Sequence, residues 1–279
     1  MFFNYTNQQK RAQNCALWAT NSEANVQYRH SHPMLCLLRP MFTVLAACIL
    51  CACSAGPTPI RVFVASSMTD FVNELAAEFQ ISHPSTDLEI NIAGSAALLA
   101  QLAEGAKADI LILASERHTL SAQASYELNE PVIFASNALA LIVPRGNPAD
   151  ISSVEDLQVS SLRGSVCIPA APCGELAFTF AQKSALSLSG ATQESNVRAV
   201  LARVARAEVE FGFVYKTDVT AADGDVVQIP AIKTDELRTS YSIAAMRESL
   251  GRPAVNDFFE AATSASARSI LFKLGFSEP

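Results

Sequence analysis

Charge is scarce in this chain. Of its 279 residues only 17% are Asp, Glu, Lys or Arg, while 50% are hydrophobic. So apolar a composition excludes a disordered chain. Long apolar runs are missing too: Met41 to Ala55 is shorter than the roughly 20 residues a spanning helix needs, which excludes a multi-span membrane protein. Basic residues are the minority, 20 against 27, for a net charge of −7 and a pI near 5.2. A nucleic-acid binder would show a basic surface instead. No GxGxxG or P-loop follows a strand, and no GxSxG elbow occurs. The histidines and cysteines form no cluster with metal-ligand spacing; His83 and His118 stand apart and read as surface histidines. Asp109, Asp218, Asp223 and Asp225 fall at strand ends or in loops without pairing. Neither catalysis nor a bound cofactor is expected. There is no internal repeat and no low-complexity linker. What remains is a chain long enough for two domains, each with its own core.

The first segment reads as an address. Residues 1–33 are polar and aperiodic, and are either a leader or sequence upstream of a start at Met34. From Met34 the pattern is that of a secretory signal: Arg39, an apolar run from Phe42 to Leu50, then small residues. Leu45 to Cys48 and Leu50 to Cys53 both resemble the bacterial lipobox. Cleavage before Cys48 would shorten the apolar region to about one helical turn. Cleavage before Cys53 preserves it and leaves residues 54–59 as a tether, so Cys53 is the favoured lipidation site and Cys48 the alternative. Acylation there would anchor the protein to a membrane without a spanning helix. Residues 1–53 hold Lys10, Arg11, Arg29 and Arg39 against Glu23, so the remainder carries 16 basic and 26 acidic residues, a net of −10. Cys167 and Cys173 are then an even pair in an oxidising compartment, where a disulfide between them is allowed.

The body alternates strands and helices. Strands are expected at 60–65, 88–92, 109–113, 139–143, 165–168, 211–215, 226–229 and 241–245. Helices are expected at 71–81, 96–104, 175–186 and from 195 or 196 to 207, and from Pro253 and Ala267. Strand, loop, helix, strand in this rhythm predicts βαβ units on mainly parallel sheets. The reading is an α/β chain of two lobes, 60–136 plus 230–279 and 137–229, joined by strand-like crossovers. A ligand would sit between them at the carboxyl ends of the strands.

A small donor recurs where a strand gives way to a helix: Ser67, Ser95, Cys173-Gly174 and Asn196-Val197. Singly, each is an ordinary N-cap position. Together, four helix N-termini from two lobes form a site for an oxyanion. No Lys or Arg falls inside these loops, Arg198 being nearest, so the donors are neutral.

These residues carry a resemblance. Ala65-Ser66-Ser67-Met68-Thr69 is similar to the AASLT segment of the periplasmic molybdate-binding proteins, the ModA family of ABC-importer receptors. Residues 93–110, from Ala93-Gly94-Ser95 through Gln101 and Gly105 to Asp109-Ile110, resemble that family's SSxxLxxQIxxGAPADVF signature. Pro172-Cys173-Gly174 resembles its PAG loop, Asn196-Val197-Arg198 its DVR or NVR turn, and residues 211–218 its GIVYxTDA segment. The resemblance implies a type II periplasmic-binding-protein fold whose lobes close on molybdate or tungstate. It implies a membrane permease and its ATPase as partners, and a monomeric receptor. By position, Ser67, Ser95, Cys173, Val197 and Tyr215 would hold the oxyanion. Cys173 departs from the alanine common in the family, and the 94–97 stretch is poorer in hydroxyls. The alternatives are a receptor for sulfate, phosphate or another oxyanion on the same fold and, from other classes, a regulator's effector domain or an extracytoplasmic enzyme. The export signal and the missing DNA-binding module oppose the regulator, and the missing nucleophile–base pair opposes the enzyme.

Overall fold

The computed structural model describes residues 58–159, 161–230, 232 and 237–279. The leader and both lipobox cysteines, Cys48 and Cys53, lie outside the described residues. The chain opens with β1 (Ile60–Ala65), a 3-10 turn (Ser66–Met68), α1 (Thr69–Ser82), β2 (Leu88–Ala93), α2 (Ser95–Ala103), β3 (Ile110–Ala114) and α3 (Glu116–Ser125). β1 lies between β2 and β3, parallel to both. α1 buries Phe71, Val72, Leu75, Ala76 and Phe79, one stripe at helical spacing, against this sheet.

The chain then runs through β4 (Val132–Pro144), β5 (Gly164–Cys167), α4 (Pro172–Lys183), β6 (Thr192–Glu194), α5 (Val197–Ala205), β7 (Phe211–Tyr215), α6 (Lys216–Ala221) and β8 (Val226–Ile229). β5 is parallel to β6 and β7. α4 begins at Pro172, earlier than expected, because proline suits the first helical position. β9 (Arg238–Ala245) leads back, and α7 (Pro253–Thr263) and α8 (Ala265–Lys273) pack on α1.

Among the described residues the strands run β2-β1-β3-β9-β4-β7-β5-β6, with β8 beside β4. Parallel pairing belongs to the outer strands. Along β3, β9, β4 and β7 each strand runs antiparallel to the next, so the sheet is mixed. The reason is the crossover itself. β4 and β9 carry the chain between lobes in opposite directions and pair side by side. The first half of β4 pairs with β9 and its second half with β7 and β8. Among the described residues four apolar cores flank this seam, two in each lobe. One in the first lobe contains Val62, Phe71, Ile112, Ile243 and Phe258; one in the second contains Leu141, Val166, Phe180 and Phe213, and also Ile232 and Leu237.

His118 corrects an expectation. It is only 4% exposed, because α3 buries it with Thr119 and Ala122. Burial, and then the charge of Arg117, hold its imidazole below the usual range. His83 is half-buried, stacked on Phe79 at 4.1 Å.

Candidate functional site

A narrow cavity lies between the lobes, with room for about one water molecule. All five residues expected to hold an oxyanion line it. Ser67 and Ser95 come from the first lobe, with Ala65 and Ala114 at the carboxyl ends of β1 and β3; Cys173, Val197 and Tyr215 come from the second. The helix starts there are largely uncapped. The residues preceding α1, α2 and α4 (Met68, Gly94 and Ala171) make no side-chain cap, so the first N–H groups of those helices have no side-chain acceptor. Asn196 is the exception: its Oδ1 accepts from Ala199 N at 3.0 Å, which frames Val197 as the first residue of α5.

Neither serine is a cap. Ser95 is 1% exposed, and its Oγ accepts from Ala114 N at 3.0 Å, which ties α2 to the end of β3. Ser67 Oγ accepts from the Tyr241 hydroxyl at 2.9 Å. Behind it, Asn137 Nδ2 donates to Thr217 Oγ1 at 2.8 Å and toward Tyr241 Oη at 3.5 Å. Asn137 Oδ1 accepts from Ala138 N, which fixes the amide in this orientation. Tyr241 and Asn137 sit on the two crossover strands, and nothing in the sequence singles them out. No spacing marks them, because their partners lie across the fold.

Tyr215, 1% exposed, ends β7. Its hydroxyl is buried and makes no well-aligned hydrogen bond among the described residues, although the Thr239 side chain lies beside it and partly offsets the rise in its pKa. Burial, and then the neighbouring Tyr241 and Asp218, push its pKa well above the ordinary phenol value, so it remains a donor. Tyr215 N donates to Asp218 Oδ2 at 2.9 Å. Asp218 is fully buried, and burial, with help from Asp70, pushes its carboxyl up to about 6 against the opposing pull of Arg198. Arg198 Nε lies 3.0 Å from Asp218 Oδ1, so the cation nearest the cavity is already engaged by protein carboxylates.

The loop before Cys173 is stiffened twice. Cys167 and Cys173 form a disulfide with Cα atoms 5.7 Å apart. A Cβ on Gly174 would stand 2.0 Å from the Ile168 carbonyl oxygen, so only glycine lets the helix start against its own loop. The lobes meet as closely at Gly94, where a Cβ would lie 2.4 Å from the Ser195 carbonyl oxygen. Asp109 has a structural role: its Oδ1 accepts from Ser249 Oγ and Arg252 Nη1, and its Oδ2 accepts from Arg61 N. Among the described residues no group of His, Cys, Asp and Glu could hold a metal ion.

Uncharged donors converging from two lobes suit a small oxyanion, whose every oxygen needs a hydrogen bond once buried. The fold defines the class, that of two-lobed binding proteins. Residues 60–277 match the family model described as bacterial extracellular solute-binding protein, and the chain belongs to that family, one of extracytoplasmic receptors rather than enzymes. A molybdate-binding protein ModA from Mycobacterium bovis is 29% identical over 230 residues, 81% of this chain and 88% of that protein. The periplasmic molybdate-binding protein of Azotobacter vinelandii superposes with a TM-score of 0.67 at 17% identity, over 79% of this chain and 99% of that one. The sulfate-binding protein SubI of Mycobacterium tuberculosis gives the same TM-score of 0.67 at 15% identity, over 79% of this chain and 87% of that one. The shared architecture therefore does not choose the anion.

Proposed function

We propose that this protein captures molybdate, and tungstate with it, between its lobes and delivers the ion to the permease and ATPase of an ABC importer. One observation carries the reading. Ser67, Ser95, Cys173, Val197 and Tyr215 line one cavity, and the Tyr215 hydroxyl is buried there without a well-aligned hydrogen bond among the described residues, Thr239 being the side chain beside it. A buried unpaired hydroxyl is costly, and an anion oxygen would satisfy it. The relatives called molybdate-binding proteins support molybdate over other tetrahedral ions. As it stands the cavity has room for about one water, so the lobes part to admit the ion. Ser67, Ser95 and nearby amides hold it on the first lobe, and closing back onto it adds the Cys173 and Val197 amides and the Tyr215 hydroxyl. Size then selects among dianions of equal charge. A lipid at Cys53, or at Cys48, tethers a monomeric receptor to the membrane by way of residues 54–59.

Calorimetric titration with molybdate, with sulfate and hydrogen phosphate as competitors, tests the reading. Binding at micromolar molybdate that neither competitor displaces is expected. No binding of molybdate or tungstate, or tighter binding of sulfate, rejects it. Mass spectrometry of the membrane fraction tests the anchor: a mature start other than an acylated Cys53 or Cys48 rejects that part.

A further inference from the structure

Two arginines cross the cleft in opposite directions. Arg198, in the first turn of α5 on the second lobe, places Nη2 2.6 Å from Asp70 Oδ2 on the first lobe. Arg117, on α3 of the first lobe, places Nε 3.1 Å from Glu175 Oε2 on the second lobe and donates from Nη2 to the Ala170 carbonyl oxygen at 3.0 Å. The arrangement is reciprocal in a second sense. Asp70 and Glu175 are the acids in the first turns of α1 and α4, the helices that follow Ser67 and carry Cys173. Neither arginine lines the cavity formed by the five candidate residues; Arg117 and Glu175 line a separate, wider cleft of about 600 Å³ between the lobes.

We propose that Arg117 and Arg198 are straps that hold the lobes closed and so set how fast the bound anion leaves; the effect on release rests on the capture reading above. Each strap does two things at once. It links one lobe to a ligand-bearing helix of the other, and it neutralises a carboxylate that would otherwise repel an anion at that helix N-terminus. When the lobes part, both ion pairs break and both carboxylates are uncovered, so opening weakens the site's hold on the anion as well as widening it. The Arg198 side chain is 24% exposed and the Arg117 side chain 54%, which makes the Arg198 strap the stronger, since solvent screens the other more.

Release of molybdate, followed by stopped-flow tyrosine fluorescence, is the test, with Arg117→Gln, Glu175→Gln, their double variant and Asp70→Asn. Arg198→Gln is avoided because it would strip the buried Asp218 of its cation. The sign of the effect discriminates. If these groups acted only through long-range charge, removing the carboxylate would slow release and removing the arginine would speed it. A strap predicts faster release from either side: about two- to fivefold for the Arg117 pair and about tenfold for Asp70→Asn. The double variant is expected to release no faster than the faster single one. Opposite signs for the two partners, additive effects or unchanged rates overturn the proposal. Small-angle scattering without added anion reads the same straps independently of ligand, and the double variant is expected to be wider than wild type. If the wild-type protein binds no molybdate, the capture reading fails and this comparison decides on the straps: an unchanged profile overturns them.

Discussion

Gly94→Ala separates folding from closure at a single atom. Gly94 precedes α2 in an extended conformation, φ −64° and ψ 144°, which alanine adopts without strain. Its missing Cβ matters only because the other lobe comes so near. A methyl group there would lie 2.4 Å from the Ser195 carbonyl oxygen, about 0.6 Å inside the 3.0 Å below which such contacts are essentially never seen. Ser195 cannot simply retreat, because Asn196 beside it caps α5 through Ala199 N. The second lobe must therefore stop short, and Cys173, Val197 and Tyr215 stop with it. Retreating by about 0.6 Å moves a hydrogen bond of about 2.9 Å to the edge of what counts as one. Losing a single bond to a charged group costs about 1.5–3 kcal/mol, so molybdate affinity is expected to fall about 10- to 150-fold. The ligand-free protein should keep its stability or gain up to about 1 kcal/mol, because alanine restricts the unfolded chain. Calorimetry for affinity and thermal melts without ligand read the two quantities separately. Wild-type affinity, or a loss of ligand-free stability as large as the loss of binding, would refute the reasoning.

Tyr215→Phe removes a buried hydroxyl that makes no well-aligned hydrogen bond among the described residues. Ligand-free melting should be unchanged or higher, while molybdate binding weakens by about 1.5–3 kcal/mol; a drop in melting temperature without loss of affinity would contradict the assignment. Replacing Cys167 and Cys173 together by serine opens a seven-residue loop and should cost about 2 kcal/mol in chemical denaturation. Binding weakens with it, because that loop positions Cys173; unchanged affinity would show that the loop needs no brace. The Asp218 carboxyl is raised from 3.8 to about 6 in the folded protein, so folding takes up a proton between those values. Its contribution to stability is fully present below about pH 4 and is lost as pH rises through 6, up to about 3 kcal/mol in all. Asp218→Asn should flatten the dependence of melting temperature on pH in that window, and an unaltered slope would rule the group out as its source.

The helices and strands with a clear apolar period were legible from the chain alone. The α1 stripe and the runs of β3 and β7 fall within a residue or two of expectation. α3 was invisible because the side it buries is His118, Thr119 and Ala122, which carries almost no apolar signal. The same burial explains why His118 is not at the surface. β6 is three residues long and largely exposed, so nothing distinguishes it from a loop. The first half of β4 includes two exposed positions and polar Ser136 and Asn137, which masked a strand spanning both lobes. At the site, the serines and helix starts were legible because each follows a strand. Asn137 and Tyr241 were not, because their part depends on the β4–β9 pairing. Arg198 stands out in the sequence as the nearest cation, but Asp70, 128 residues away, reaches it only in the fold.

The donors in the cavity are oriented, and that orientation bears on which anions they accept. Tyr241 donates to Ser67 and Ala114 N donates to Ser95, so each serine oxygen already serves as an acceptor. Among the described residues neither hydroxyl hydrogen has an acceptor, and it is the hydrogen that remains for the cleft. Tyr215 keeps its proton because burial raises its pKa. Backbone N–H groups at Cys173 and Val197 can only donate. A ligand here meets hydrogens from both lobes, with both nearby carboxylates, Asp70 and Asp218, held by Arg198. A fully ionised oxyanion accepts at every oxygen and matches this field. Hydrogen phosphate brings a hydrogen of its own, for which the cavity offers no free carboxylate, and burying an unpaired donor costs about 1–3 kcal/mol. Size already separates molybdate from smaller dianions of equal charge, and against hydrogen phosphate the proton adds a second ground for refusal, because a donor-lined site offers that hydrogen few acceptors.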